Sequence, residues 1–214
     1  MTIAILLVLA YLIGSIPSAV WVSKWVYGMD IREHGSGNAG ATNTFRILGS
    51  KAGSGVMLMD MFKGFIAVKL ALMSHFMPGF DRYANLQIFL GLSAVIGHIF
   101  PIWAEFRGGK GIATLFGMIL SINIWVAMSL VAIFICMLYL TRYVSLSSIT
   151  ASIAFPVLIV FIFNAPDHVG YRLFAIATAL LVIFTHHKNI SRLISGNESK
   201  VAFFRKRKLR GNRD

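Results

Sequence analysis

Three short polar segments carry the residues that could do chemistry. The first is Gly35-Ser36-Gly37-Asn38-Ala39-Gly40-Ala41-Thr42-Asn43, followed by Arg46. Glycine removes the Cβ that keeps a ligand away from backbone N–H groups, and successive N–H groups can form an anion-binding concavity. Gly35 and Gly37 offer that freedom, while Ser36, Asn38, Thr42 and Asn43 add neutral hydrogen-bonding groups. Arg46 adds a planar fork that fits phosphate. The pattern predicts phosphate binding; the plainer alternative is a flexible polar loop.

The second segment is Arg107-Gly108-Gly109-Lys110-Gly111, preceded by Gly97-His98-Ile99-Phe100-Pro101. Three glycines surround Lys110 where an apolar run begins. A helix starting there would present unpaired amides and a partial positive charge to an anion. The G-x-x-x-x-G-K-[ST] pattern of nucleotide hydrolases is absent, because glycine follows Lys110, so a phosphate monoester fits better than a nucleoside triphosphate. His98 reads as a structural hydrogen-bonder at a helix end. In the third segment, on a continuing helix, His186, Asn189 and Arg192 would share one face at i, i+3 and i+6, with Gly196 and Glu198 beyond. Histidine can serve as a base near neutral pH. The competing reading is an amphipathic helix lying in the membrane interface, but Asn189 and Arg192 on the histidine face favour a site.

Two clusters support these. Gly14-Ser15-Ile16-Pro17-Ser18 should break a helix, with Lys24 near that helix's cytoplasmic end. Asp60 and Lys63, at i and i+3, can pair in an apolar setting for structural purposes.

The elements that must position these segments are membrane spans. Hydrophobic residues make up 57% of the 214 and charged residues 13%, with a mean hydropathy of +0.75. Soluble domains carry about 25% charged residues. Apolar runs at Ile3–Val26, Val56–Met73, Leu86–Trp103, Ile112–Leu140, Ile149–Phe163 and Tyr171–Phe184 are the spans. The first run lacks a basic leader and is too long for a signal peptide. Lysine and arginine concentrate in the segment after the first run, in the segment around Lys110 and in the tail, which places those three in the cytoplasm and the N-terminus outside. An odd number of crossings follows. The 29-residue run Ile112–Leu140 reconciles the count if it folds back near Ser121-Ile122-Asn123. The expected fold is therefore an all-α polytopic transmembrane helix bundle of seven spans (five to seven). Its N-terminus is outside and its C-terminus cytoplasmic. Residues 1–200 should form a single transmembrane catalytic domain and residues 201–214 a basic cytoplasmic tail.

Net charge is +12. It sits in short connections and the tail, not on the face of a soluble fold, so nucleic acid is not an expected partner. Anionic membrane lipid is, at about 1 kcal/mol per basic residue near the surface. The lone Cys136 allows no internal disulfide or cysteine metal cluster, and no grouping of carboxylates suggests a metal. No cofactor is expected.

Read in order, the strings G-S-I-P (Gly14–Pro17), G-S-G-N-x-G-A-T-N (Gly35–Asn43), D-x-x-K-G (Asp60–Gly64), G-H-x-F-P with F-R-G-G-K-G-x-A-T (Gly97–Thr114) and H-x-x-N-I-x-R-L-x-x-G-x-E (His186–Glu198) resemble the bacterial acyl-phosphate:glycerol-3-phosphate acyltransferases, the PlsY family. The likeness covers nearly the whole chain. Each string alone is weak, and the five in this order are specific. The resemblance implies transfer of a fatty acyl group from acyl phosphate to the 1-hydroxyl of glycerol 3-phosphate. The products are 1-acyl-glycerol 3-phosphate (lysophosphatidic acid) and phosphate, in phospholipid synthesis at the bacterial cytoplasmic (inner) membrane. It implies catalytic roles for Ser36, Arg46, His186 and Asn189. A glycine-rich phosphate site falls at Gly108, Gly109 and Gly111 beside Lys110, and Glu198 takes a structural part. A further implied partner is the enzyme that makes acyl phosphate from acyl carrier protein. Ala19 departs from the family's frequent glycine. For such chemistry His186 and the substrate's own phosphate are alternative bases.

Rival classes fit less well. No histidine is followed five residues later by the aspartate of acyl-CoA-type acyltransferases, no internal repeat suggests a transporter, and the aspartates at 30, 60, 81 and 167 form no cluster of the kind a CDP-alcohol phosphotransferase needs.

Overall fold

The computed structural model describes residues 2–163 and 169–201. Asp167 lies outside them, as does the expected basic tail apart from Val201. Ten α-helices and no strand occur among the described residues. They are α1 (Ile3–Gly14), α2 (Ser18–Tyr27), α3 (Ala41–Leu48), α4 (Ser50–Lys69), α5 (Asp81–Ile99), α6 (Ile112–Ile122), α7 (Ile124–Thr141), α8 (Val144–Val157), α9 (Val169–Thr185) and α10 (His187–Ile194).

Four helical stretches are long and apolar enough to cross a membrane: Ile3–Tyr27, Asp81–Ala104, Ile124–Thr141 and Val144–Ile162. The bent pair α9–α10 makes a fifth if counted as one span. Helix α4 has the length but carries Lys51, Asp60, Lys63 and Lys69. Helix α6 is apolar, but eleven residues rise only about 16 Å, roughly half the hydrocarbon thickness.

The breaks have local causes. Pro17 interrupts the first span, and Lys63 Nζ, 3.0 Å away, takes up the freed carbonyl of Ile16. Ser18 Oγ donates to Asp60 Oδ1 at 2.9 Å. Asp60 Oδ1 also lies 2.9 Å from Lys63 Nζ and 3.5 Å from His98 Nδ1. Asp60, Lys63 and His98 are all buried, so this cluster pins α2, α4 and α5 together inside the bundle. Ser15 is buried nearby, and its Oγ finds no partner among the described residues. The long apolar run divides at Asn123, whose Oδ1 accepts the amides of Trp125 and Val126 at 3.0 and 3.1 Å and so caps α7. Pro156 lies inside α8, and a π-helical turn, Leu158–Ile162, follows it.

Small residues let the helices approach. A methyl on Gly64 would strike the Thr114 carbonyl, and one on Gly117 the Met61 carbonyl, which closes α4 onto α6. Gly14 meets Ala94 in the same way and joins α1 to α5. In lipid, where apolar burial does not drive helix association, close backbone packing of this kind takes over.

Candidate active site

The first polar segment is held in shape by Asn43. Its Oδ1 accepts the Ser36 amide at 3.0 Å, and its Nδ2 donates to the carbonyls of Ile31 and His34 at 3.1 and 2.9 Å. Gly35 and Gly37 adopt positive φ of 62° and 71°, where other residues are strained. Two features of the fold bear on the expected site. The segment is not all loop: α3 begins at Ala41, so Thr42 and Arg46 stand on a helix. Asn43 has both amide hydrogens committed to loop carbonyls, so it builds the segment and has no hydrogen left for a ligand. Ser36, Thr42 and Arg46 are exposed, and Asn38 is half-buried.

The glycines of the second segment do something other than cradle a ligand with their amides. The N–H groups of Gly108 and Gly109 donate to the carbonyls of Ile99 and His98, both at 3.1 Å, and so cap the end of α5. A side chain at Gly108 would collide with the His98 carbonyl, and one at Gly109 with the His98 imidazole. Glycine is needed there for close approach, and those two amides are already engaged with the end of α5. Gly111, at φ 81°, turns the chain into α6. Arg107 is exposed and Lys110 half-buried.

The third segment does not continue one helix. The chain bends by 62° between α9 and α10, and His186 sits in the bend. Its Nδ1 lies 2.9 Å from the Val182 carbonyl. A carbonyl can only accept, so Nδ1 carries a proton and Nε2 is left as the acceptor of the neutral ring. Asn189 is buried on α10, with its Oδ1 accepting from Lys110 Nζ and its Nδ2 donating to Glu198 Oε1 at 2.6 Å. Glu198 is the hub. Its Oε1 also accepts from Ser145 Oγ at 2.8 Å and its Oε2 from Arg192 Nε at 2.7 Å. Burial pushes the Glu198 carboxyl up, but the hydrogen bonds from Arg192, Asn189 and Ser145 outweigh it and hold the group below its ordinary range. The strand of chain carrying Glu198 is tied to the α7–α8 corner by the Val201 amide, 2.8 Å from the Arg142 carbonyl.

The three segments meet. A methyl on Gly109 would stand 3.1 Å from the Ala39 carbonyl, so the first and second are in contact. Lys110 reaching Asn189 joins the second and third. Lys110 also feels the charges of Arg46 and Arg192. Burial chiefly, together with those two guanidinium groups, lowers it to about 8 despite the opposing charge of Glu198. Arg192 bonds the Glu198 carboxylate directly, and Lys110 feels that carboxylate together with the two guanidinium groups. Of the supporting residues, Asp60, Lys63 and His98 lie in the cluster behind Gly109, and Lys24 pairs with Asp30 at 3.1 Å.

Sequence reasoning missed Ser145, Asp30 and Arg32. Ser145 carries no signal, being one of several serines in an apolar run. Asp30 and Arg32 did carry one, an acid and a base two residues apart immediately before the glycine pattern. Arg32 donates to Asp30 through Nε and Nη2, the latter at 2.7 Å, and through Nη1 to the Ala104 carbonyl at 3.0 Å.

Comparison with known proteins gives matches along nearly the whole chain. The family model described as glycerol-3-phosphate acyltransferase matches residues 4–196. A glycerol-3-phosphate acyltransferase of Fusobacterium nucleatum subsp. nucleatum is 44% identical over 92% of this chain and 97% of its own length. Glycerol-3-phosphate acyltransferase 3 of Bacillus anthracis is 45% identical over 97% of this chain and 99% of its own. Crystal structures of PlsY, an integral membrane glycerol 3-phosphate acyltransferase, superpose with TM-scores of 0.82 for the glycerol 3-phosphate form and 0.80 for the lysophosphatidic acid form. Both share 38% identity with this chain and cover 94% of it, and the chain covers 96% and 95% of theirs.

Proposed function

The chain belongs to the glycerol-3-phosphate acyltransferase family, and we propose that it moves a fatty acyl group from acyl phosphate to the 1-hydroxyl of glycerol 3-phosphate, releasing 1-acyl-glycerol 3-phosphate and inorganic phosphate. It does so as a multi-pass protein of the bacterial cytoplasmic membrane. The observation that carries this reading is the positive charge where the segments meet: Lys110, held by Asn189, feels both Arg46 and Arg192, while Glu198 is paired with Arg192. Both substrates are anionic, and a half-buried cluster with more cations than carboxylates is stabilised by an arriving phosphate. Seven crossings result if the short α6 and the charged α4 are counted with α1–α2, α5, α7, α8 and α9, and the basic segments would then lie on the cytoplasmic face, where both substrates would be met. The enzyme that makes acyl phosphate from acyl carrier protein is the natural partner.

The chemistry asks little of a nucleophilic side chain, because acyl phosphate is already activated. The 1-hydroxyl oxygen attacks the acyl carbon, the carbon–oxygen bond to phosphate breaks, and phosphate departs with the bonding pair. What the chain must do is orient two anions, a contribution of roughly 7–11 kcal/mol when the geometry is near attack, and steady the charge that grows on oxygen. Ser36 and Arg46, exposed on the first segment, hold one headgroup. Lys110, kept in place by Asn189, faces the other. Burial chiefly, and the neighbouring Lys110 charge, lower His186 to about 4, whereas a phosphate monoester takes its second proton near pH 6. The His186 Nε2 lone pair and a substrate phosphate are the alternative acceptors of the hydroxyl proton, and the lowered basicity of His186 favours the phosphate.

Purified protein in detergent, offered acyl phosphate, acyl-CoA or acyl carrier protein thioester separately with glycerol 3-phosphate, tests the reading. Turnover with acyl phosphate is expected; turnover only with a thioester would sink the donor assignment.

A further inference from the structure

We infer that Arg32, braced by Asp30, is a positioning residue that sets the separation between the first and second polar segments. Its side chain is nearly buried and is used on both sides. Toward its own segment it grips Asp30, with Nε 3.0 Å from Oδ1 and Nη2 2.7 Å from Oδ2. Asp30 in turn accepts the Arg32 amide at 3.0 Å. Toward the other segment Nη1 donates to the Ala104 carbonyl at 3.0 Å.

Both anchor points matter. Ile31, between Asp30 and Arg32, offers its carbonyl to the same Asn43 amide that fixes Ser36, so a shift of Arg32 is passed on to Ser36. At the far end, Ala104 precedes Glu105 and Phe106, which both lie at φ 56°. Two consecutive non-glycine residues in the left-handed region are costly and persist only where surrounding contacts enforce them. Arg32 supplies such a contact at the carbonyl that opens this turn, and the turn delivers Lys110 to Asn189. A lysine could not replace it, since one ammonium cannot span the carboxylate and the carbonyl as a planar fork does.

The kinetic part of the test rests on the acyltransferase reading; the structural part does not. In Arg32→Ala the amides of residues 105–110 should exchange hydrogen at least tenfold faster than in the parent protein, while those of α5 stay within twofold. The kcat/KM for glycerol 3-phosphate should fall 10- to 100-fold, mainly through KM, and Arg32→Lys should recover less than a fifth of it. Adding Glu105→Gly and Phe106→Gly to Arg32→Ala relieves the left-handed strain and should restore kcat/KM at least threefold. Unchanged exchange at residues 105–110, or a loss that Arg32→Lys fully repairs, overturns the clamp. If the parent protein itself turns over no glycerol 3-phosphate, the acyltransferase reading fails, and the exchange measurement still decides the clamp.

Discussion

Two clusters of ionisable side chains lie back to back in this molecule, one behind Gly109 and one in front of it. Behind it, Asp60 meets Lys63 and Ser18, with His98 alongside, and the formal charges of acid and base cancel. In front, Arg192 pairs with Glu198, and Lys110 feels the charges of Arg46, Arg192 and Glu198 together. Similar residue types serve different ends because one set is balanced and the other is not. A buried pair that cancels costs little once its hydrogen bonds are made, and it fixes helix positions. A cluster left with surplus charge is incomplete until an anion arrives, and Lys110, whose affinity for a proton is lowered chiefly by burial, is the member an arriving anion would stabilise most.

The comparison can be broken most forcefully at the balanced cluster. Lys63→Ala strands Asp60 in an apolar interior and should cost about 3–5 kcal/mol of stability, read by thermal unfolding in detergent. Replacing both residues by apolar ones of similar size should recover most of that loss. Full stability in the single variant would show that the pair is not structural. At the unbalanced cluster, Ser36→Ala or Arg46→Ala should lower kcat by about 10²–10³-fold, about 3–4 kcal/mol, at normal protein level and unfolding temperature. A fall in stability without loss of turnover would reverse the two roles. Between the clusters, Gly109→Ala pushes His98 and the second segment apart, and KM for glycerol 3-phosphate should rise about tenfold. An unchanged KM would mean that the segment does not hold that substrate.

The smallest effect sharpens the comparison through pH. Lys110 is charged below about 8, so KM for glycerol 3-phosphate should be flat below that value. It should then rise with pH as the ammonium is lost, by about tenfold one unit above it. Bound phosphate holds the proton on Lys110, so kcat at saturation should stay constant to a higher pH than KM does. A KM that improves with rising pH would take Lys110 out of the anion site.

Much of the fold could be read without coordinates, because lipid imposes strong constraints on composition. The Ile112–Leu140 run read as a fold-back near Ser121-Ile122-Asn123, and Asn123 caps α7 at that place. The fold of the first segment was only partly legible. Its glycines announced special backbone, but that Thr42 and Arg46 ride on α3, and that Asn43 faces inward, depend on which carbonyls happen to be nearby. The same limit applies at Gly108 and Gly109. A glycine pair looks alike whether its amides face a ligand or cap a helix, and only the position of the α5 terminus decides between them. The 62° bend at His186 followed no breaker residue at that position, so a continuing helix was the natural expectation.

By itself the sequence determined the solvent and the helical class and nominated residues for phosphate, since each depends on composition or on spacing within a few residues. Tertiary structure decided which polar groups are already satisfied and which remain for a substrate. Hydrogen bonds and charge balance depend on neighbours dozens of residues away, as when Lys110 finds Asn189 and Arg32 finds Ala104. No local pattern encodes those distances.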